Sequence, residues 1–304
     1  MAAKVQLGHV DSLFPHVKED WWQSTFNDMY LKTNGDCVED PTLTESECSD
    51  ILSIPGVQAV LDLCCGQGRH SIHLAKQYPA VEFDGFDQSK YLLDLGRTRA
   101  GIASVKNIKF AEGDARNIPA PDAVFDLVLL MGNSFGYFNE TDNIKLLKEV
   151  GRVLKPGGIF LIDHVDASWV RSNFSPSGWK WVNSHPDSAS NGQPKNDNAV
   201  VQQKLLACRE RELSPDKKRL ASREIVIDLD GSVCQDRFYA VRLYDLPEMD
   251  DYLRDCGMSL RYQDAKRISI PRAEGTADLG MMESRKLIVA QKDLTLNPRL
   301  HSTN

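Results

Sequence analysis

Between Val57 and Asp166 short apolar runs alternate with amphipathic stretches, and this rhythm constrains the fold more than any other feature of the chain. VQAVLDL, VEFDGFD, IKFAEGD, FDLVLLMG and GIFLIDHVD read as strands. GRHSIHLAKQY, SKYLLDLGRTRAGI and TDNIKLLKEVGRVL read as helices, the second capped by Ser89 and the third stopped by Lys155-Pro156-Gly157-Gly158. Strand alternating with helix predicts an α/β fold with a doubly wound, Rossmann-like parallel sheet.

The flanks break the rhythm. Residues from about 16 to 54 look helical and carry the aromatic-rich segment WWQSTFNDMYL. Within them Thr44 and Glu47 have capping-box spacing ahead of ILSI. After the fifth strand, residues 182–198 are polar and loop-like, and three strand-like segments follow: VVQQKLLACRERELS, RLASREIVIDLDG and SVCQDRFYAVRLY. Asp230-Gly231 is a hairpin signal between the last two. LPEMDDYLRDCGM then predicts a helix, and SLRYQD and RKLIVAQK two returning strands. The expected organisation is an N-terminal helical cap (1–54), an α/β core (55–165 and 245–293), an antiparallel β lid inserted between its halves (166–244) and a frayed tail (294–304).

Composition removes several classes of partner. A net charge of −7 lacks the basic footprint that binds nucleic acid. No apolar run is long enough to span a bilayer, and the first twenty residues place charge and proline where a signal peptide needs an apolar stretch. The seven cysteines include no C-x-x-C pair, as expected of a reduced, cytoplasmic chain. His70, His73 and His185 lack metal-ligand spacing, so no metal is expected. A monomer or homodimer acting on a small molecule is the expected form.

The chemistry-bearing stretch is VLDLCCGQGRHSIHLA, Val60–Ala75. Gly66 and Gly68 fall between a strand and a helix, where the backbone turns sharply and the helix N-terminus favours negative charge. A dinucleotide fingerprint would place a small residue at the end of G-x-G-x-x-G with unencumbered neighbours; here Ser71 follows the bulky Arg69 and His70. Asp87 ends the second strand about 20 residues on, a position suited to ribose hydroxyls. Gly113-Asp114-Ala115-Arg116 and Met131-Gly132-Asn133 follow the third and fourth strands.

This ordered set resembles the class I S-adenosylmethionine-dependent methyltransferases, over about Val57 to Asp163 with the LKPGG turn. CCGQGRHS and SFGYF are similar to the small-molecule branch, with its amino-sugar N-methyltransferases and natural-product O-methyltransferases. The resemblance implies S-adenosyl-L-methionine as cofactor and S-adenosyl-L-homocysteine as product. It makes Asp87 the ribose ligand and Asp114 the adenine ligand. The cofactor set is Tyr30, Asp62, Cys64, Gly66, Gly68, Arg69, Asp87, Gln88, Asp114, Ala115, Arg116, Met131 and Gly132, with Arg69 meeting the cofactor carboxylate or capping the helix. MGNSFGYF lacks the Asn/Asp-Pro-Pro-Tyr/Phe motif of nucleobase amino-methyltransferases. Metal-dependent relatives need convergent acids near this edge, where only Asp163 and Asp166 are available.

Methyl transfer requires alignment, exclusion of water and, for a hydroxyl acceptor, removal of a proton. Catalytic candidates are therefore Tyr30, Tyr137 and His164. In the sugar-methyltransferase relatives an N-terminal tyrosine and a strand-four histidine flank the methyl; Tyr30 matches the first, and Tyr137 stands where the second would be. His164 is the nearby imidazole and the expected base or orienter. Trp22, Asn133, Trp179, Arg237 and Tyr239 are the substrate-binding candidates. Lid packing explains the tryptophans, with Trp21 and Trp181, equally well, and a solvated face explains the arginines. The expected function is O-methylation of a small metabolite, such as an alkaloid N-hydroxyl or a phenol. The alternatives are N-methylation of a small amine or amino sugar, an NAD-dependent oxidoreductase, and a non-catalytic S-adenosylmethionine-binding module.

Overall fold

Three short helices precede the first strand: α1 (Trp21–Thr25), α2 (Asp28–Val38) and α3 (Pro41–Cys48). Asn27 starts α2 by accepting from the amides of Met29 and Tyr30, and Asp40 starts α3 with Pro41 in its first turn. Thr44 and Glu47 therefore do not form a capping box. Both lie inside α3, and Glu47 points into the protein. The computed structural model describes residues 8, 10–49, 51, 56–183, 204–261, 266–269 and 284–294. The tail segment 295–304, most of the polar loop at 182–198, and His185 lie outside the described residues.

The predicted alternation is present as β1 (Ala59–Leu63), α4 (Arg69–Gln77), β2 (Glu82–Asp87), α5 (Lys90–Ile102), β3 (Ile108–Glu112), β4 (Phe125–Leu130), α6 (Glu140–Val153) and β5 (Leu154–Val165). Ser89 caps α5 as expected, accepting from the Leu92 amide. The central strands are apolar on both sides because both faces are covered. Leu61, Val128, Phe160 and Ile288 pack under α6 on one face, and Val60, Leu127, Leu161 and Leu287 pack with Leu74 of α4 on the other. Gly157, at φ 76°, sits in the LKPGG segment after α6, and β5 runs on directly from that helix.

Beyond the core come α7 (Ala167–Ser172), β6 (Ser177–Asn183), β7 (Lys204–Leu213), β8 (Arg219–Asp228), β9 (Val233–Arg242), α8 (Leu246–Asp255), β10 (Met258–Leu260), β11 (Lys266–Ser269) and β12 (Ser284–Lys292). The main sheet runs β10-β12-β5-β4-β1-β2-β3, with β11 also paired to β12. Strands β1 to β5 are parallel, and β12 returns antiparallel against β5. Strands β6 to β9 form a separate antiparallel meander. The edge strand β6 was not expected from sequence. No described helix is long and apolar enough to cross a membrane.

Register sets what the second sheet presents. Arg209 lies opposite Glu224, which lies opposite Arg237; the next inward row is Arg211, Ser222 and Tyr239. On the opposite face Ala221, Ala240 and Phe238 pack against Val10, Leu13, Phe14 and Val17. Ser12 and the Leu13 amide bond Glu212 there, and His16 stacks on Phe238 at 4.9 Å. The chain then crosses to the inner face, where Trp21 packs against Tyr239 and the Thr25 carbonyl accepts from Arg237. One N-terminal segment thus grips both sides of the meander.

Candidate active site: two neighbouring cavities above the sheet

The first cavity, of about 870 Å³ with its mouth included, opens at the carboxyl ends of β1 to β4. That is the edge where open α/β sheets bind ligands. The turn after β1 forms its floor. Cys64, Gly66 and Gly68 all have positive φ, and α4 begins without a side-chain cap. Gly68 does not line this cavity. At φ 70° it turns the chain into α4, and a Cβ there would meet the Phe110 ring at 2.8 Å. It shapes the loop and, contrary to expectation, does not itself face the cavity.

Asp87 ties the loop to β2. Its Oδ2 accepts from the Gly66 amide at 2.8 Å and its Oδ1 from the Ser89 amide at 2.7 Å. Burial raises its pKa against those hydrogen bonds. Gln88 donates to the Trp22 carbonyl and Ser89 to that of Phe26, so the cap is fastened to the same loop. Asp114 and Ala115 line the far end of the cavity. Arg116 lies behind them, not in the wall: it binds the Asp114 carboxylate, reaches Asp142, and stacks on Trp22 and Phe138. That contact holds Asp114 below the usual carboxylate range. Trp22 lines this first cavity, not the second where an acceptor would sit.

At the other end, Asp62 and Arg69 supply two buried atoms without a hydrogen-bond partner among the described residues: Asp62 Oδ2 and Arg69 Nη2. Asp62 is 1% exposed, and burial raises its pKa to about 6 despite hydrogen bonds from Ser71 and the charge of Arg69. Arg69 Nη1 lies 2.5 Å from Glu47 Oε2 and 3.1 Å from Thr44 Oγ1. Glu47 also meets His70 and Arg285, and Arg285 in turn pairs with Asp163. Burial alone would raise the Glu47 pKa, but the His70 hydrogen bond and the charges of Arg69 and Arg285 hold it far below the ordinary value. Burial and the Arg69 charge lower the His70 pKa to about 4, so its neutral ring donates to that carboxylate. A carboxylate oxygen and a guanidinium nitrogen left without partners among the described residues, both on side chains of the cavity wall, are what the zwitterionic end of an amino acid requires.

Cys64 and Cys65 are not reactive thiols. Burial, with the charges of Asp87 and Asp62, pushes both well above the ordinary thiol range. None of the seven cysteines is in a disulfide. Asp163 is committed to Arg285 and the Gly132 amide, and Asp166 caps α7 and pairs with Lys286. No group of metal-binding side chains occurs among the described residues.

The second cavity, of about 710 Å³, lies between α1, α2 and the inner face of the meander. Tyr30, Tyr137, Phe26, Val38 and Gly132 line both cavities. Asn133, Arg237 and Tyr239 line the second as well, with Asn34, Arg209, Arg211 and Ser222, which sequence reading missed. The alternation CRERE, with arginines two apart, was the available signal. Trp21 joins the walls by edge contact with Tyr137 at 5.0 Å. Burial raises the pKa of Tyr30 to about 12 and lifts that of Tyr137 well above the ordinary phenol value, so both hydroxyls keep their protons at neutral pH.

Two expected site residues lie elsewhere. His164 is 1% exposed and lines neither cavity; it packs against Phe135 and Tyr244, and burial lowers its pKa to about 4. Its strand position sends it under the sheet, with Nδ1 donating to the Val165 carbonyl. Trp179 is 63% exposed, on the face of β6 opposite the arginine row. It lines neither cavity.

The doubly wound sheet, the glycine turn, the acid after β2 and the cavity above them give the core the class I methyltransferase fold. Residues 60–158 match the protein family described as "Methyltransferase domain". Demethylmenaquinone methyltransferase of Staphylococcus aureus is 42% identical over 100 residues, a match covering 33% of this chain and 39% of that protein. The CcbJ methyltransferase from Streptomyces caelestis superposes with a TM-score of 0.62 at 15% identity, covering 89% of this chain and 99% of that one. CalS10 from Micromonospora echinaspora, an amino pentose methyltransferase solved with S-adenosylmethionine bound, gives a TM-score of 0.53 at 15% identity, over 89% and 96% of the two chains. At such identities these structures speak for the fold; the sequence match is confined to the core.

Proposed function

We propose that this chain transfers the methyl group of S-adenosylmethionine to an oxygen of a small molecule enclosed in the second cavity. The observation that carries the reading is that Tyr30 and Tyr137 line both cavities. In this reading Asp87 holds the ribose hydroxyls and Asp114 the adenine amino group. Cys64, Gly66 and Gln88 shape the nucleoside site with Ala115, Met131 and Gly132. Asp62 and Arg69 take the ammonium and carboxylate. The bound cofactor supplies an electrophilic methyl on a good leaving group, and the protein supplies alignment and dryness. Residues 1–54 serve as the cap and 166–244 as the lid over the core formed by 55–165 and 245–293.

The second cavity is lined by no histidine, lysine or carboxylate among the described residues. Without such a base the acceptor oxygen must arrive ionised, as an acidic phenol or N-hydroxyl can. Tyr30 and Tyr137, protonated, orient it. The same lack of a base also suits an uncharged amine, so N-methylation is the second reading. The test is transfer of label from methyl-labelled S-adenosylmethionine to fractionated small-molecule extracts, with mass spectrometry of the product to separate O- from N-methylation. Absence of both label transfer and cofactor binding by calorimetry would overturn the reading.

A further inference from the structure

We propose that Arg285 is a positioning residue that sets both ends of the site at once. Through Glu47 it aims Arg69 at the first cavity, and through Asp163 it holds Gly132 and Asn133 in the wall of the second. The proposal rests on the reading of the first cavity as the cofactor site.

Arg285 lies on β12, which runs antiparallel beside β5 and gives no residue to either cavity. Its side chain is among the largest that are fully buried, and its guanidinium is divided between two carboxylates. Nη2 meets Glu47 Oε1, and Nη1 meets Asp163 Oδ2. Each carboxylate also reaches a residue of a cavity wall. Glu47 Oε2 lies 2.5 Å from Arg69 Nη1. Asp163 Oδ2 accepts from the Gly132 amide at 3.1 Å, and the Asp163 carbonyl accepts from the Asn133 amide at 3.2 Å. Arg69 lines the first cavity, Asn133 the second and Gly132 both.

Gly132 and Asn133 need that grip. Their φ angles are 71° and 60°, in the left-handed region that a residue with a side chain enters at a cost. Asn133 Oδ1 accepts from the Val165 amide, which is one more tie to β5. The chain runs on from this pair to Tyr137, the tyrosine that lines both cavities.

A cluster present for stability alone would be fully satisfied. Here Arg285 Nε and Asp163 Oδ1 are buried without a hydrogen-bond partner among the described residues. A half-satisfied buried ion pair stabilises no better than apolar side chains of the same volume. What the cluster does fix is direction. Loss of Arg285 leaves Arg69 as the charged partner of Glu47, because the His70 ring is neutral. Arg69 is then drawn onto Glu47 and becomes a poorer partner for a ligand carboxylate.

The test uses the whole chain and two nucleoside probes, S-adenosylhomocysteine and methylthioadenosine, which lacks the amino-acid end. Arg285→Met is expected to weaken S-adenosylhomocysteine about tenfold or more in calorimetry, and methylthioadenosine by less than about twofold. General loosening of the fold would weaken both alike. Amide NMR of the unliganded chain reads the other end. The Gly132 and Asn133 resonances should move in Arg285→Met, while those of Ser89 and Leu92 at the start of α5 stay in place. If Arg285→Met fails to fold, Arg285→Lys keeps the charge but lacks the planar fork that serves two carboxylates, and should show the same selective loss in lesser degree. Equal loss of both nucleosides, unchanged S-adenosylhomocysteine affinity, or unmoved Gly132 and Asn133 resonances overturns the proposal. Binding of neither nucleoside by the wild-type chain would instead overturn the reading on which it rests.

Discussion

The Glu47 carboxylate on α3 lies 2.5 Å from the Arg69 guanidinium at the start of α4, and through it the cap meets the floor of the cofactor cavity. Glu47 is also the shared partner of His70 and Arg285. Removing one member of a buried charge cluster leaves the others desolvated and unpaired, which costs about 3–5 kcal/mol. Glu47→Gln is therefore expected to lower unfolding free energy by about that amount in urea titration. It should also weaken S-adenosylhomocysteine, because Arg69 loses the group that aims it. Unchanged stability would show that the cluster does not hold the cap.

The tyrosines and His164 separate by experiment. Tyr137→Phe and Tyr30→Phe remove hydroxyls from the two tyrosines that line both cavities, and misplacement of the reactants there should reduce kcat/KM by up to about 10²-fold. His164→Leu is expected to leave kcat and its pH profile unchanged, because the imidazole touches neither cavity. A loss of kcat in His164→Leu as large as in Tyr137→Phe would restore His164 as a participant.

What the sequence disclosed was local. The glycine turn, Asp87 and the Ser89 cap are each specified within a few residues, by turn chemistry and period. The partners of Glu47 were hidden because His70 lies 23 residues away and Arg285 lies 238 away. A capping-box spacing says nothing about such contacts. His164 misled because alternation along a strand end does not say which face holds the ligand. The arginine row was half legible: CRERE gives its spacing, but only the register with β8 and β9 sets Glu224 between Arg209 and Arg237.

Trp179 misled for the opposite reason, since an aromatic in a lid segment reads as a pocket wall. At 63% exposure on an edge strand it contributes little to folding. Trp179→Ser should change unfolding free energy by no more than about 0.5 kcal/mol and leave the acceptor KM where it was. A raised KM would mean that the exposed face of β6 takes part in acceptor binding.

Asp62 supplies the pH dependence. Its folded pKa, about 6, lies above the ordinary carboxyl value because burial outweighs the Ser71 hydrogen bonds and the Arg69 charge. A raised carboxyl pKa contributes stability that is complete below the unfolded value and lost as pH rises through the folded one. Unliganded protein should therefore lose up to about 3 kcal/mol from this group between pH 4 and 7, and Asp62→Asn should abolish that slope. Cofactor binding runs the other way. An ammonium beside Asp62 favours the carboxylate, so affinity for S-adenosylhomocysteine should rise as pH climbs toward about 6 and level off above it, with proton release on binding at the acid end. Asp87 nearby is also raised, but its two oxygens are held by backbone amides, which leaves Asp62 with the orphan oxygen. Calorimetry at several pH values, in buffers of differing ionisation enthalpy, reads both quantities. A flat affinity profile in the wild type, or the same profile in Asp62→Asn, would remove Asp62 from the cofactor site and leave its buried oxygen without a ligand to explain it.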